Sequence, residues 1–215
     1  MSYGTNKPWG LKPVRYMNGA AWNGQQTPYR IASGYNANLF TWDPAAAGAN
    51  GFVTIATAGD NNAILGSFTG FQWVDANTGK TVFSSTWAAN TVTFGAQDAI
   101  AFIADDPMIV FDVQGNAPNF PAANSGILNA NLLRNASLVA GNGSPYNGES
   151  GWMLDQATIG QAANKQVKII RFVPALLGGV QGNPPVNVNN DPGVAYNNVE
   201  VIINNGYYKA GVASV

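Results

Sequence analysis

The sequence predicts an all-β fold: a small antiparallel β-barrel or sandwich with long loops, an extended N-terminal arm and at most one short helix. Two observations lead to this fold class. Between residues 51 and 115, short runs of β-branched and aromatic residues recur, each bounded by Gly, Asn, Asp or Pro. Helical apolar spacing occurs at one place alone, residues 124–137, and there it is weak.

Residues 1–50 form the predicted N-terminal arm. Prolines alternate with aromatic residues along it, and Asn-Gly pairs at Asn18 and Asn23 mark turns. Because proline interrupts helices and central strands, we expect only short strands, at 14–17 and 29–32. The arm should pack against the rest of the protein through its rings.

Residues 51–115 are predicted to form a β-barrel-like domain. Six short strands are expected, at 51–56, 63–74, 80–85, 90–94, 99–103 and 108–113. The turn residues at 75–79 predict a hairpin with Phe71 and Trp73 on one strand and Val82 on the other. A second tight turn is expected at Asp105-Asp106-Pro107.

Residues 116–215 are predicted to form a loop-rich β region that packs with the arm or completes a sheet with residues 51–115. Strands are expected at 167–173 and 199–203, and the one candidate helix is at 124–137. The Pro- and Asn-rich segment 178–193 is longer than most loops of compact domains, so we expect it to make contacts with a partner.

The composition excludes several classes of function. Only 10% of the 215 residues are charged, against about 25% in typical soluble domains, whereas Asn occurs 27 times and Gly 25 times. The chain has no Cys and no His, which excludes disulfide scaffolds, thiolate metal sites and Ser-His-Asp triads. The ten basic residues are scattered, so we expect no direct contact with nucleic acid. No apolar run is long enough for a membrane span or a secretory signal, and we expect neither.

The sequence shows no convincing catalytic pair. Asp105 and Asp106 are adjacent, and successive residues of a strand or turn point apart. A glycosidase built on the two glutamates, Glu149 and Glu200, is the weakest hypothesis because nothing pairs them. The oxygen-rich segment 187–191 lacks the twelve-residue calcium-loop pattern. We therefore expect a protein that is not an enzyme and that holds no metal and no cofactor.

The 24 aromatic residues allow two interpretations. They could form a sugar-binding platform, or they could be the core of the β-domain, and the second is favoured because the rings at strand positions alternate with polar neighbours. The expected core rings are Phe71, Trp73, Phe83, Phe102 and Phe111. Trp9 and Trp22 lie in turn-rich segments and are better candidates for exposed contacts.

Several stretches resemble a family of structural proteins from tailed bacteriophages. The resemblance is carried by residues 66–75, 78–87 and 101–114 in the centre, by 10–20, 22–24 and Tyr29 in the arm, and by 148–155, 167–173 and 198–204. These stretches follow one another in the same order and cover most of the chain. The resemblance implies a virion head protein of the capsid cement or decoration type, with a β-barrel or β-tulip-like core.

The expected function is therefore that of a structural protein on the capsid surface, assembled in the host cytoplasm, which stabilises the head shell. Its expected partners are the major capsid protein and further copies of itself, as a dimer or trimer. The candidate contact residues are Trp9, Lys12, Arg15, Trp22, Tyr29, Asn187 and Asn189. A carbohydrate-binding module and a tail- or fibre-associated structural protein remain as alternatives.

Overall fold

The computed structural model describes residues 5–118, 126–173 and 193–208, and it confirms the predicted all-β fold. The described strands are β1 (Lys12–Tyr16), β2 (Thr27–Ile31), β3 (Pro44–Ala47), β4 (Val53–Ile55), β5 (Gly66–Val74), β6 (Thr81–Ser84), β7 (Ala99–Ala104), β8 (Ile109–Gln114), β9 (Asn135–Val139), β10 (Met153–Gly160), β11 (Val167–Phe172) and β12 (Asn198–Ile203). Short 3₁₀ turns lie between some of them, at Ala49–Gly51, Phe94–Ala96 and Asn129–Asn131.

The strands form two antiparallel sheets of six. Sheet 1 has the order β1-β8-β12-β11-β9-β10, and sheet 2 has the order β2-β7-β5-β3-β4, with β6 also paired to β5. The outer strands of sheet 2 approach each other at one bridge between Arg30 and Phe52, where the guanidinium lies 5.1 Å from the ring centroid. Neither sheet closes into a barrel, so the sandwich is the better description of the two predicted architectures.

Two clusters of buried apolar side chains form the interior. The first covers the inner face of sheet 1 and reaches sheet 2 through residues such as Ala104. The second lies against sheet 2 and is built around Phe68 and Trp87. Ile55 and Tyr207 pack against both clusters, so the two sheets share one continuous apolar interior.

The hairpin predicted at residues 75–79 is confirmed. Trp73 of β5 pairs with Val82 of β6. In the turn, the Asp75 carboxylate accepts a hydrogen bond of 2.8 Å from the backbone N–H of Thr78, and Gly79 has a φ of +65°. An Asx turn followed by a left-handed glycine is a strong local signal, which explains why the hairpin was visible in the sequence.

The prediction of a helix at residues 124–137 is wrong for residues 126–137, the part of this segment that the structure describes. The chain there forms the 3₁₀ turn Asn129–Asn131 and then enters β9, which lies between β10 and β11. All of the first four residues of β9, 135–138, are buried, and Ala136 and Leu138 belong to the first core. Pairing on both edges outweighs the weak helical spacing of the leucines.

Two smaller predictions from the 51–115 segment are also wrong. Residues 90–94 make no strand: Asn90 has a φ of +63°, and only Thr93 forms an isolated bridge, with Asp75. Phe83, expected in the core, is 68% exposed because it lies opposite Gln72 of β5, on the face of sheet 2 that points away from the buried Phe71.

The predicted boundaries at residues 50 and 115 do not coincide with the sheets. From the predicted arm 1–50, β2 and β3 belong to sheet 2, together with β4 to β7. The third arm strand, β1, pairs with β8 in sheet 1, where the other strands come from residues 116–215. The described part of the predicted arm therefore contributes strands to both sheets, β1 to sheet 1 and β2 and β3 to sheet 2.

Buried amide side chains connect the loops to the sheets. Gln166 is fully buried and makes four hydrogen bonds: it donates to the carbonyls of Thr57 (2.8 Å) and Asn62 (3.2 Å), and it accepts from the N–H groups of Gly59 (3.2 Å) and Leu138 (2.9 Å). The amide-rich composition thus supplies internal partners for loop backbone that regular strands cannot pair.

Asn197 and Asn204 act in the same way as Gln166. Asn197 accepts from the N–H of Ile127 (3.0 Å) and donates to its carbonyl (2.8 Å). Asn204 donates to the carbonyls of Ala163 (2.9 Å) and Lys165 (2.8 Å). Each amide fixes an irregular segment against sheet 1.

Candidate functional site

A row of charged side chains crosses the outer face of sheet 1. Lys12 of β1 lies opposite Asp112 of β8, Asp112 lies opposite Glu200 of β12, and Glu200 lies opposite Arg171 of β11. Residues opposite one another on paired strands share a face. The neighbours of Asp112 on β8 are buried in the first core, so this charged row points the other way.

Glu200 is the centre of this row. It is buried, and its carboxylate accepts hydrogen bonds from Arg15 (Nε, 2.9 Å) and from Arg171 (Nε, 2.8 Å, and Nη2, 2.7 Å). Burial alone would raise the pKa of Glu200, but the two guanidiniums outweigh it and hold that pKa below its ordinary value. Arg15, a predicted contact residue, is therefore engaged inside the protein.

Asp112 lies beside this ion-pair network and has a different environment. Burial, with the charge of Glu200 as a second cause, raises the pKa of Asp112 to about 6. Its Oδ1 atom is buried without a hydrogen-bond partner among the described residues. The Trp9 indole, another predicted contact, donates to the Asp112 carbonyl at 3.2 Å.

Tyr29 belongs to a second cluster, on sheet 2. Its hydroxyl donates to Asp105 at 2.5 Å and is paired with the hydroxyl of Tyr208, which also reaches Asp105 at 3.2 Å. The other carboxylate oxygen of Asp105 accepts from Thr27 at 2.8 Å. Burial and these hydrogen bonds raise the pKa of Tyr29 well above its ordinary value, so its hydroxyl stays protonated.

The predicted contact residues are thus only partly brought together. Trp9, Lys12 and Arg15 lie around the charged row, with the Lys12 ammonium 5.0 Å from the centroid of the Trp42 ring. Trp22 packs against the first core and donates to the carbonyl of Gln25 at 3.2 Å. Asn187, Asn189 and nearly all of the segment 178–193 lie outside the described residues.

A groove that the sequence did not indicate has a volume of about 720 Å³. Aromatic and proline side chains line part of it, from Phe40, Trp87, Trp152 and Pro145, and amide groups of Asn38 and Asn142 line another part. Its size is within the range of about 300–1,000 Å³ that is usual for small-molecule sites.

Asp43 is the ionisable residue in the lining of this groove. It is 1% exposed, its Oδ2 accepts from the N–H of Phe40 at 2.9 Å, and its Oδ1 has no hydrogen-bond partner among the described residues. Burial raises the pKa of Asp43 to about 6, against the opposing influence of the Ser150 hydroxyl and the Phe40 amide. A buried carboxylate with one free acceptor is costly unless a ligand or water satisfies it.

The remaining acidic residues do not form a catalytic or metal-binding group. Glu149 accepts from the side-chain amide of Asn147 at 2.7 Å, so it shares no partner with Glu200. Within 5–118, 126–173 and 193–208, no three acidic side chains come together as metal ligands would. In the same ranges, no helix has the length and apolar character to cross a membrane.

Comparisons of the chain with known protein families, curated proteins and solved structures gave no match.

Proposed function

We propose that this chain is a structural virion protein of the capsid cement type, which binds major capsid subunits and stabilises the head shell. The observation that supports the proposal is a set of exposed apolar side chains on a surface with few charges. Among the described residues, the large exposed ones are Met17, Phe83, Val92, Phe94, Met108, Leu128, Leu133, Tyr146 and Tyr208.

Such a surface suits permanent association with other subunits. Burying an apolar side chain at an interface is favourable, whereas burying an unpaired charge is costly. Since only 10% of the residues in the chain are charged, association should cost little free energy for the desolvation of charges. Many copies of a modest interface then add up to a large stabilisation of a closed shell. The resemblance to phage structural proteins points to the same kind of partner.

One part of this surface lies at the edge of sheet 1. The backbone N–H of Met17 donates to the carbonyl of Met108 at 2.9 Å, so two exposed methionines are neighbours there. Methionine is flexible and fits irregular partner surfaces. We assign a capsid contact to this methionine pair, close to the candidate residue Arg15.

The test is co-sedimentation with purified heads of the virus that encodes the chain. Removal of residues 1–25 is a poor test because it would delete β1 and the buried Leu11. The better variant is the double substitution of Met17 and Met108 by Ser, with Gln97→Ser, also exposed, as the control. We expect the double variant to fold but to bind at least tenfold more weakly.

Two results would refute the proposal: no binding of the unmodified protein to heads, or its absence from purified virions by mass spectrometry. Copy number separates the cement function from its alternative. A cement protein should approach the abundance of the major capsid protein, whereas a tail- or fibre-associated protein should be present in far fewer copies.

A further inference from the structure

We propose that the groove lined by Phe40, Asp43 and Asn142 binds a neutral oligosaccharide. This inference goes beyond the capsid function and does not depend on it. The sequence raised sugar binding through its 24 aromatic residues, with Trp9 and Trp22 as the candidates for exposed contacts, and neither Trp9 nor Trp22 lines the groove.

The first argument is the chemistry of the lining. Sugars present apolar C–H faces and a rim of hydroxyl groups, so their sites combine flat aromatic walls with a few fixed polar groups. The groove has both: Phe40 supplies a partly exposed ring, to which Trp87 and Trp152 add little accessible surface because they are 1% and 3% exposed, and the exposed Asn38 and Asn142 supply amides that can both donate and accept.

The second argument is the unpartnered acceptor of Asp43. The backbone N–H of Phe40 holds Oδ2, which fixes the orientation of the group; the Ser150 hydroxyl also acts on the carboxylate and lowers its pKa, but the buried Oδ1 has no hydrogen bond among the described residues. A hydroxyl donor from a ligand would satisfy this oxygen with a charge-assisted hydrogen bond. Among the described residues the groove lining contains no Lys or Arg, so nothing in that lining favours an anionic ligand.

The third argument is that the wall formed by Phe40 is fixed in place. A Cβ atom at Gly143 would lie 2.1 Å from the Phe40 ring, so the ring packs directly on the glycine backbone. The N–H of Phe40 is at the same time engaged by Asp43. A wall that is already in position binds without the entropic cost of ordering it.

The experiment uses the full chain and three neutral probes: maltotetraose, cellotetraose and the tetramer of N-acetylglucosamine. Binding is measured by saturation-transfer NMR and by isothermal titration calorimetry. We expect at least one probe to bind, and we expect Phe40→Ala, Asp43→Asn and Asn142→Ala each to weaken it by about tenfold.

Matched controls separate a local effect from a loss of folding. Asp112→Asn alters another buried carboxylate with a free oxygen, and Phe94→Ala removes another phenylalanine that does not line the groove. Both controls should bind the probe as the unmodified protein does. If circular dichroism shows that Asp43→Asn does not fold, the test rests on Asn142→Ala, because Asn142 is exposed and its truncation should leave the fold intact.

Three results would overturn the inference. They are no binding of any probe up to its solubility limit, binding that the groove variants leave unchanged, and a response to calcium chloride alone with none to the sugars. Failure here is distinguishable from failure of the capsid function, since the groove variants should still sediment with heads and the methionine variant should still bind the sugar.

Discussion

Replacing Gln166 by Met should destabilise the protein severely although the two side chains have similar volumes. The substitution removes one amide that serves four backbone groups, in the loop 57–62 and in β9. Because methionine fills the same space, the loss measures the hydrogen bonds and not a cavity.

The expected magnitude follows from those four partners. An unsatisfied buried donor or acceptor costs about 1–3 kcal/mol. Leu138 is buried, so leaving its N–H without an acceptor should cost the full penalty of an unsatisfied buried donor. Gly59 and Asn62 are partly exposed, so water can replace the lost hydrogen bonds there. A total loss of about 3–5 kcal/mol is expected, a large fraction of the roughly 5–15 kcal/mol that stabilises a typical domain.

Urea unfolding followed by tryptophan fluorescence measures the effect. With a typical slope of about 1–3 kcal/mol per molar urea, the midpoint should fall by roughly 1–5 M. Gln97→Met is the control, because Gln97 is exposed and its side chain has no described hydrogen bond. The urea midpoint of this variant should equal that of the unmodified protein. A loss below about 1 kcal/mol for Gln166→Met would refute the view that buried amides hold the loops in place.

Three further predictions concern other parts of the fold. Because Asp43 and Asp112 have raised pKa values, the folded state binds more protons than the unfolded chain between about pH 4 and 6. The free energy of unfolding should therefore rise when the pH is lowered from 7 to 5, by about 1 kcal/mol from Asp43. Asp43→Asn should weaken this pH dependence, as measured by urea unfolding at each pH. Gly66→Ala should cost about 1–3 kcal/mol because its Cβ would lie 2.3 Å from a carbonyl oxygen of β7, whereas Gly70→Ala on the same strand, with 3.4 Å of clearance, should be far milder in thermal unfolding. Glu200→Ala leaves two guanidiniums without their shared carboxylate and should cost about 2–4 kcal/mol by urea unfolding; an unchanged midpoint would contradict the assigned role of the ion pairs.

Local signals were sufficient for part of the fold. The hairpin at 75–79 was predictable because its turn chemistry lies within five residues. β3 (Pro44–Ala47) was missed because an alanine run has little strand preference, and only pairing with β4 and β5 makes it a strand. The start of β9, residues 135–137, was included in the predicted helix for the related reason that its partners, β10 and β11, follow it in the chain.

The candidate site was less predictable than the fold. Arg15 was selected from the arm, but its partner Glu200 is 185 residues away, and no spacing rule links them. Asp43 gave no signal because a single Asp before a proline is most simply a turn residue. The groove is made by segments that meet only after folding, so its lining could not be found from sequence periodicity.

The division of strands between the sheets has a consequence for the order in which the protein is synthesised. Every described strand of sheet 2 lies between Thr27 and Ala104, whereas sheet 1 needs β12, which ends at Ile203. A ribosome adds residues at roughly 5–20 per second, so sheet 2 has several seconds in which to form before sheet 1 can be completed. During that interval the edge of β8 that later pairs with β12 is unpaired, and synthesis of many copies at once makes that edge the point at which misassembly should begin.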